Sequence, residues 1–366
     1  MRSQGSARVC PVHGPSLSFD GNVGWTNAST DGGCLATALT TESSTDRELL
    51  ARFEAGDRRA LARALSWVEN QRPGFERLLH ALHGRLGHAY RVGITGPPGA
   101  GKSTLTEKYA LLLRERGLKV GILAVDPSSP FTGGALLGDR IRMQELTLDE
   151  GTFIRSMASR GRLGGLATTS LEAADLIEAF GFDVVVHETV GVGQTERDIV
   201  SAADTTVVVL VPESGDAIQA MKAGLMEIAD VFVVNKADRP GADKLARAIK
   251  ATLGLRAAPP DGWTPPIVRT VAVEGKGVEE LDEAIESHRE HGRTTGALER
   301  KRRQRAAERV RDIVARRCER EVWVERGGEG LLARGLERIA AGETTPYALA
   351  EEIARAADIG DGGVTR

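Results

Sequence analysis

Gly96, Gly101, Lys102 and Ser103 stand at the spacing G-x-x-x-x-G-K-[ST] within GPPGAGKST, the run from Gly96 to Thr104 that also holds Pro97, Pro98, Gly99 and Ala100. Glycines let consecutive backbone N–H groups turn inward on an anion, the lysine reaches the outer phosphates of a polyphosphate, and the next hydroxyl is a ligand for Mg²⁺. That is phosphate-capture chemistry. It needs a strand before the loop and a helix after it. Tyr90 to Thr95 (YRVGIT) is apolar and β-prone, and LTEKYALLLRERG carries Leu105, Tyr109 and Leu112 at helical spacing.

A second polar run, Asn235-Lys236-Ala237-Asp238, closes the apolar segment VFVVN. An aspartate at a strand end can accept two hydrogen bonds from N1 and the exocyclic amine of guanine, a donor pair that adenine lacks. The expected ligand is therefore GTP or GDP. Thr270, Val271 and Ala272, in RTVAVEGKGVEEL, sit at a later strand end and are expected to back the base.

On the phosphate side, Glu188-Thr189-Val190-Gly191 offers a carboxylate for a Mg²⁺-bound water and a Gly191 amide for a γ-phosphate. The next residue is Val192, where small GTPases carry a water-orienting Gln, so slow unassisted hydrolysis is expected. Asp126, directly after the apolar run ending at Val125, is a further candidate for the metal shell. Asp139 is balanced between turn chemistry and metal ligation. His187 neighbours Glu188, but strand alternation turns it to the opposite face and gives it a structural role.

These residues must be positioned by something. Between Tyr90 and about His288, short apolar runs alternate with helical patterns, which predicts an α/β fold: a P-loop NTPase G domain with a mainly parallel, doubly wound sheet. Ligands on such sheets gather at the C-terminal ends of the strands, where every polar run above lies. N- and C-terminal helical extensions flank it. The expected boundaries are a disordered extension over 1–44, which lacks core-forming periodicity, a helical region over 45–88, the G domain over 89–290 and a helical region over 291–366. Thr345 before Pro346 is expected to cap the last helix.

The chain has 366 residues, ample for a buried core, and 48 basic against 51 acidic side chains give a formal charge of −3. No global drive towards nucleic acid or an anionic membrane follows from that balance. Cys10, Cys34 and Cys318 are too scattered for a disulfide framework or a C-x-x-C metal site. No apolar run approaches a spanning length and no signal-peptide pattern opens the chain, so a cytoplasmic protein is expected. Arg300 to Arg305 is read as a solvated helix face, since acidic residues resume at Glu308 and Asp312 and no aromatic interleaves.

The combination of GPPGAGKST, VDPSSPFTGGALLGDRIRM, ETVGVGQTE, PESGDAIQAMKAGLMEIAD and NKAD resembles the MeaB-type GTPases. These are chaperones of methylmalonyl-CoA mutase and related adenosylcobalamin-dependent acyl-CoA mutases, in the metallochaperone-like branch of the P-loop GTPases. The likeness runs from about residue 45 to the end. It implies Lys102 on phosphate, and Ser103, Asp126, Asp139 and Glu188 around Mg²⁺ and the hydrolytic water. It implies Asn235, Lys236 and Asp238 on guanine. By the same resemblance Gln194, Glu196 and Arg197 belong to a mobile switch, and Asp216, Gln219 and Lys222 to a second one that meets the mutase. The family pattern further implies a homodimer made through the C-terminal helices, with adenosylcobalamin belonging to the client. His187 departs from the aliphatic residue expected there. Two other readings stay open at this level: a metal-delivery GTPase of the same branch, and a nucleotide-dependent scaffold whose hydrolysis is incidental.

Overall fold

The computed structural model describes residues 44–126, 143–158, 165–189, 202–212, 225–255 and 261–357, with the backbone alone at a few positions, Asp126 among them. Seven strands form one sheet: β1 (Tyr90–Thr95), β2 (Val120–Asp126), β3 (Thr152–Ala158), β4 (Val184–Thr189), β5 (Thr205–Leu210), β6 (Val231–Asn235) and β7 (Ile267–Thr270). Their order is β3-β2-β4-β1-β5-β6-β7. All pairings are parallel. Continuous Val and Ile runs suit strands covered on both faces, and every residue of β1, β4, β5 and β6 is buried.

Among the described residues, the helices longer than one turn are α1 (Ser44–Glu54), α2 (Arg58–Glu69), α3 (Phe75–Leu82), α4 (Lys102–Glu115), α5 (Gly165–Ala179), α6 (Ala242–Gly254), α7 (Val278–Thr294), α8 (Ala297–Arg320), α9 (Gly328–Ala340) and α10 (Pro346–Ala356). On one face of the sheet, Leu105, Tyr109 and Leu113 of α4 and Leu281 and Ile285 of α7 pack on Val92, Ile94, Val207 and Val209. Leu113, rather than Leu112, completes the buried stripe at four-residue spacing. On the other face, Phe53, Leu61, Leu65 and Val68 of the N-terminal helices share a core with Leu176 and Ile177 of α5 and Val185 of β4. Thr345 caps α10 as the sequence predicts, its hydroxyl accepting from the Ala348 amide at 3.2 Å.

The basic face of α8 differs from its expectation. Arg300 and Arg303 behave as surface residues, but Arg302 and Arg305 converge on Asp204, whose side chain is fully buried. Further along the same helix, Arg309 reaches Asp175 at 2.5 Å and Arg316 reaches Glu172 at 3.4 Å. The reason is tertiary. Glu172, Asp175 and Glu178 line one side of α5, Arg91 of β1 donates to the last two at 2.7 Å each, and α8 lies over them with no buried apolar residue of its own.

Burial alone would raise the Asp204 carboxyl, yet the Arg302 hydrogen bond and the Arg305, Arg302 and Arg91 charges outweigh it and hold the group at about 2. A folded value below the ordinary 3.8 means this contribution is complete above about pH 4 and fades as pH falls towards 2. Asp204→Asn leaves two guanidiniums without their counter-charge, and should cost about 3 kcal/mol, as for other broken buried pairs. The urea midpoint of the variant should therefore fall well below that of the parent at pH 7, with the gap narrowing on acidification towards pH 3. A gap that is absent at pH 7 would contradict the assignment.

Candidate nucleotide site

β1 delivers the chain into the phosphate loop at Gly96. Its φ is 140°, and a Cβ there would fall 2.1 Å from the Val209 carbonyl oxygen of β5, so only glycine lets the loop pass this closely. Gly101, at φ 84°, precedes α4 and meets the second half of the site, since a Cβ on it would lie 2.4 Å from Asn235 Nδ2. Lys102 Nζ is buried and donates to the Gly96 and Pro97 carbonyls at 2.8 and 3.0 Å. Ser103 Oγ donates to Glu188 Oε1 at 2.5 Å, which brings a helix N-terminus and the end of β4 together.

Asn235 is the joint between the two halves. Its Nδ2 donates to the Ala100 carbonyl at 2.8 Å, while Oδ1 accepts from Thr270 Oγ1 at 2.9 Å and from the Ala272 amide at 3.1 Å. One side chain thus ties the phosphate loop to the end of β7. Lys236 follows with φ 55°, a left-handed conformation rare outside glycine, and the Ala237 amide closes the turn on the Thr270 carbonyl at 3.0 Å. This turn carries Asp238 to the exposed rim.

Together these loops enclose a cleft of about 470 Å³. Pro98, Gly99, Gly101, Lys102, Ser103, Thr104 and Glu188 line it from the β1 and β4 ends, and Asn235, Lys236, Asp238, Val271 and Ala272 from the β6 and β7 ends. Gly96, Pro97, Ala100 and Thr270 shape the walls without lining the cleft. Cationic Lys102 and the helix N-terminus lie at one end and the Asp238 carboxylate at the other, a polarity that matches a molecule with phosphates at one end and hydrogen-bond donors at the other. Sequence reasoning passed over Ala124, Thr189, Arg239 and Val273, which also line the cleft. Arg239 and Val273 are neighbours of the motifs and Thr189 stands inside one, so these three could have been found by proximity; Ala124 carries no signal of its own.

His187 faces away from this cleft, as alternation predicts. It is fully buried, its Nδ1 lies 3.3 Å from Ser170 Oγ of α5, and burial first, then the Arg91 and Arg305 charges, push its pKa down to about 3. It is neutral at physiological pH. Asp126 ends β2 beside the cleft, with only its backbone described. Asp139, Gly191, Gln194, Glu196, Arg197, Asp216, Gln219 and Lys222 lie outside the described residues.

An all-parallel, doubly wound sheet with a phosphate loop after its central strand and N-K-A-D after β6 defines a P-loop GTPase. The family model described as methylmalonyl Co-A mutase-associated GTPase MeaB matches residues 61–326, and the chain belongs to that family. A relative from Pyrococcus abyssi named as a GTPase is 48% identical over 84% of this chain and 95% of its own length. The mouse methylmalonic aciduria type A homolog, a mitochondrial protein, is 35% identical over 72% of this chain and 69% of its own. The crystal structure of a LAO/AO transport system kinase superposes with a TM-score of 0.64 at 28% identity, covering 86% of this chain and 98% of that one. Among the described residues no helix is long and apolar enough to cross a membrane.

Proposed function

We propose that this GTPase is a nucleotide-driven chaperone of an adenosylcobalamin-dependent acyl-CoA mutase, methylmalonyl-CoA mutase or a close relative, and that its nucleotide state gates cofactor loading or reactivation. The observation that carries this reading is membership of a family described by its association with that mutase, over residues 61–326. The cytoplasm is its proposed compartment. Adenosylcobalamin is the client's cofactor.

In the proposed cycle Lys102 gives up the Gly96 and Pro97 carbonyls for the β- and γ-phosphates, a trade of neutral acceptors for charged ones. Asp238 accepts from the guanine edge, and Asn235 holds its loop against the phosphate loop. Ser103 and Glu188 present hard oxygen atoms side by side, a donor set that suits Mg²⁺, with Asp126 and Asp139 as the further members of the shell. When bound, Mg²⁺ would offset the charge that builds on the transferring phosphoryl group. Gly191 meets the γ-phosphate, and Gln194, Glu196 and Arg197 move with it. Asp216, Gln219 and Lys222 face the client. The proposed layout is an extension at 1–44, helices at 45–88, a G domain at 89–290 and a dimer-forming region at 291–366.

With Val192 in place of a water-orienting Gln, the client has a geometric role to fill. Addition of an acyl-CoA mutase from the same cell should raise GTP turnover at least about tenfold, a factor one well-placed group supplies. Linkage requires the mutase to bind the GTP-analogue and GDP states with different affinities. Lys222→Ala and Asp216→Ala should weaken stimulation while leaving unassisted turnover intact. Equal affinities in every nucleotide state, with no stimulation, would remove the chaperone reading and leave a GTPase without this client.

A further inference from the structure

The sheet divides at the seam between β1 and β4. The β1 side carries the phosphate loop and, through β6 and β7, the Asp238 turn and its support; the β4 side carries Glu188 and, through β2, Asp126. Whatever sets the distance between Glu188 and Ser103 must therefore act across this seam. Backbone pairing across it ends at Ile94↔Glu188. One residue further on, Thr95 still pairs with Val208 of β5 and Thr189 with Val125 of β2, so each is fixed to its own half of the sheet. Between them Thr189 Oγ1 donates to Thr95 Oγ1 at 3.0 Å, and both residues are at most 1% exposed.

We infer that Thr95 and Thr189 are a positioning pair for GTP hydrolysis, a side-chain staple that extends the β1–β4 seam by one step where the backbone ladder stops. Thr95 is the residue before Gly96, and Thr189 is the residue after Glu188. The staple thus holds the entrance of the phosphate loop to the stem of the carboxylate that faces Ser103. Neither hydroxyl donates to Ser103 or Glu188 itself. Their effect passes through the backbone, and a hydroxyl pair excluded from water holds its geometry better than the same pair in solvent. Alternation sends the Thr95 and Thr189 side chains to the α5 face, opposite that of Glu188, while Thr189 also borders the cleft.

The test separates positioning from stability with isosteres. Thr95→Val and Thr189→Val each strand one buried hydroxyl, and each should lower the melting temperature as well as kcat. The double variant replaces both partners by groups of the same shape, which is close to neutral for stability. Its melting temperature should return towards the parent's, while kcat for GTP stays about tenfold down and GDP affinity changes less than about twofold, the pattern of a lost transition-state interaction. The Mg²⁺ concentration for half-maximal turnover should rise in the same variants, and Thr189→Ser, which keeps the hydroxyl, should restore most of kcat. Recovery of kcat together with the melting temperature in the double variant would show that the bond only supports the fold. A parallel loss of GDP affinity and kcat would overturn the assignment equally, since it would place the pair in nucleotide binding.

Discussion

Asp238→Asn is expected to lose GTP and gain xanthosine triphosphate. Asp238 stands exposed at the end of the cleft remote from Lys102, on a turn fixed by Lys236 at φ 55° and by the Ala237 to Thr270 hydrogen bond. A carboxylate there offers acceptors only. An amide offers one acceptor and one donor, so it pairs poorly with the guanine amine and well with the carbonyl that xanthine carries at that place. Sites built to hydrogen-bond a group discriminate strongly against its absence, so GTP affinity should fall on the order of a hundredfold or more. Competition binding of the two nucleotides to parent and variant reads the exchange directly. ATP and GTP bound equally by the parent would show that the turn does not read the base.

The second large effect is expected at Glu188. The residue is 6% exposed, and its carboxylate is held by Ser103 Oγ at 2.5 Å, at the N-terminus of the helix that begins with Lys102. Glu188→Ala removes an anionic oxygen from a place where a divalent cation and a water would be aligned. Turnover at saturating Mg²⁺ and GTP should fall about a hundredfold, the scale of losing one preorganised electrostatic group. GDP affinity without Mg²⁺ should hold or improve, because Ser103 is then released from a competing carboxylate. Lys102→Ala gives the opposite split, with nucleotide affinity lost as well as turnover. Near-normal hydrolysis by the Glu188 variant would place the metal-side carboxylate elsewhere.

The phosphate loop, the guanine turn and the strands that carry them were legible because each is local. Gly96 to Ser103 is one unbroken run, and the Val and Ile segments announce a sheet covered on both faces. Asn235 was legible as a motif member, while its three hydrogen bonds, to Ala100, Thr270 and Ala272, were not. They join residues as much as 135 apart in the chain. The Thr95 to Thr189 bond, across 94 residues, is hidden for the same reason. Arg302 and Arg305 read as solvated because acidic residues resume at Glu308 and Asp312 in the same helix and no aromatic interleaves, whereas their actual counter-charge, Asp204, lies about a hundred residues upstream. A usable signal for that correction did exist. Glu172, Asp175 and Glu178 recur every three residues in a segment otherwise rich in Ala, Leu and Ile, and carboxylates on the buried side of a helix require cations from elsewhere.

The attachment of α8 differs in kind from that of α4 or α7. Those helices bring aliphatic stripes to the sheet, and detaching them would expose a surface that aggregates. α8 brings guanidiniums to carboxylates, with Val310 and Val314 already 60% and 53% exposed. Lifting it would return charged groups to water and uncover little that is adhesive. An element fastened in this way can change partners as a polar surface does, so α8, from Ala297 to Arg320, can be released without passing through a sticky intermediate.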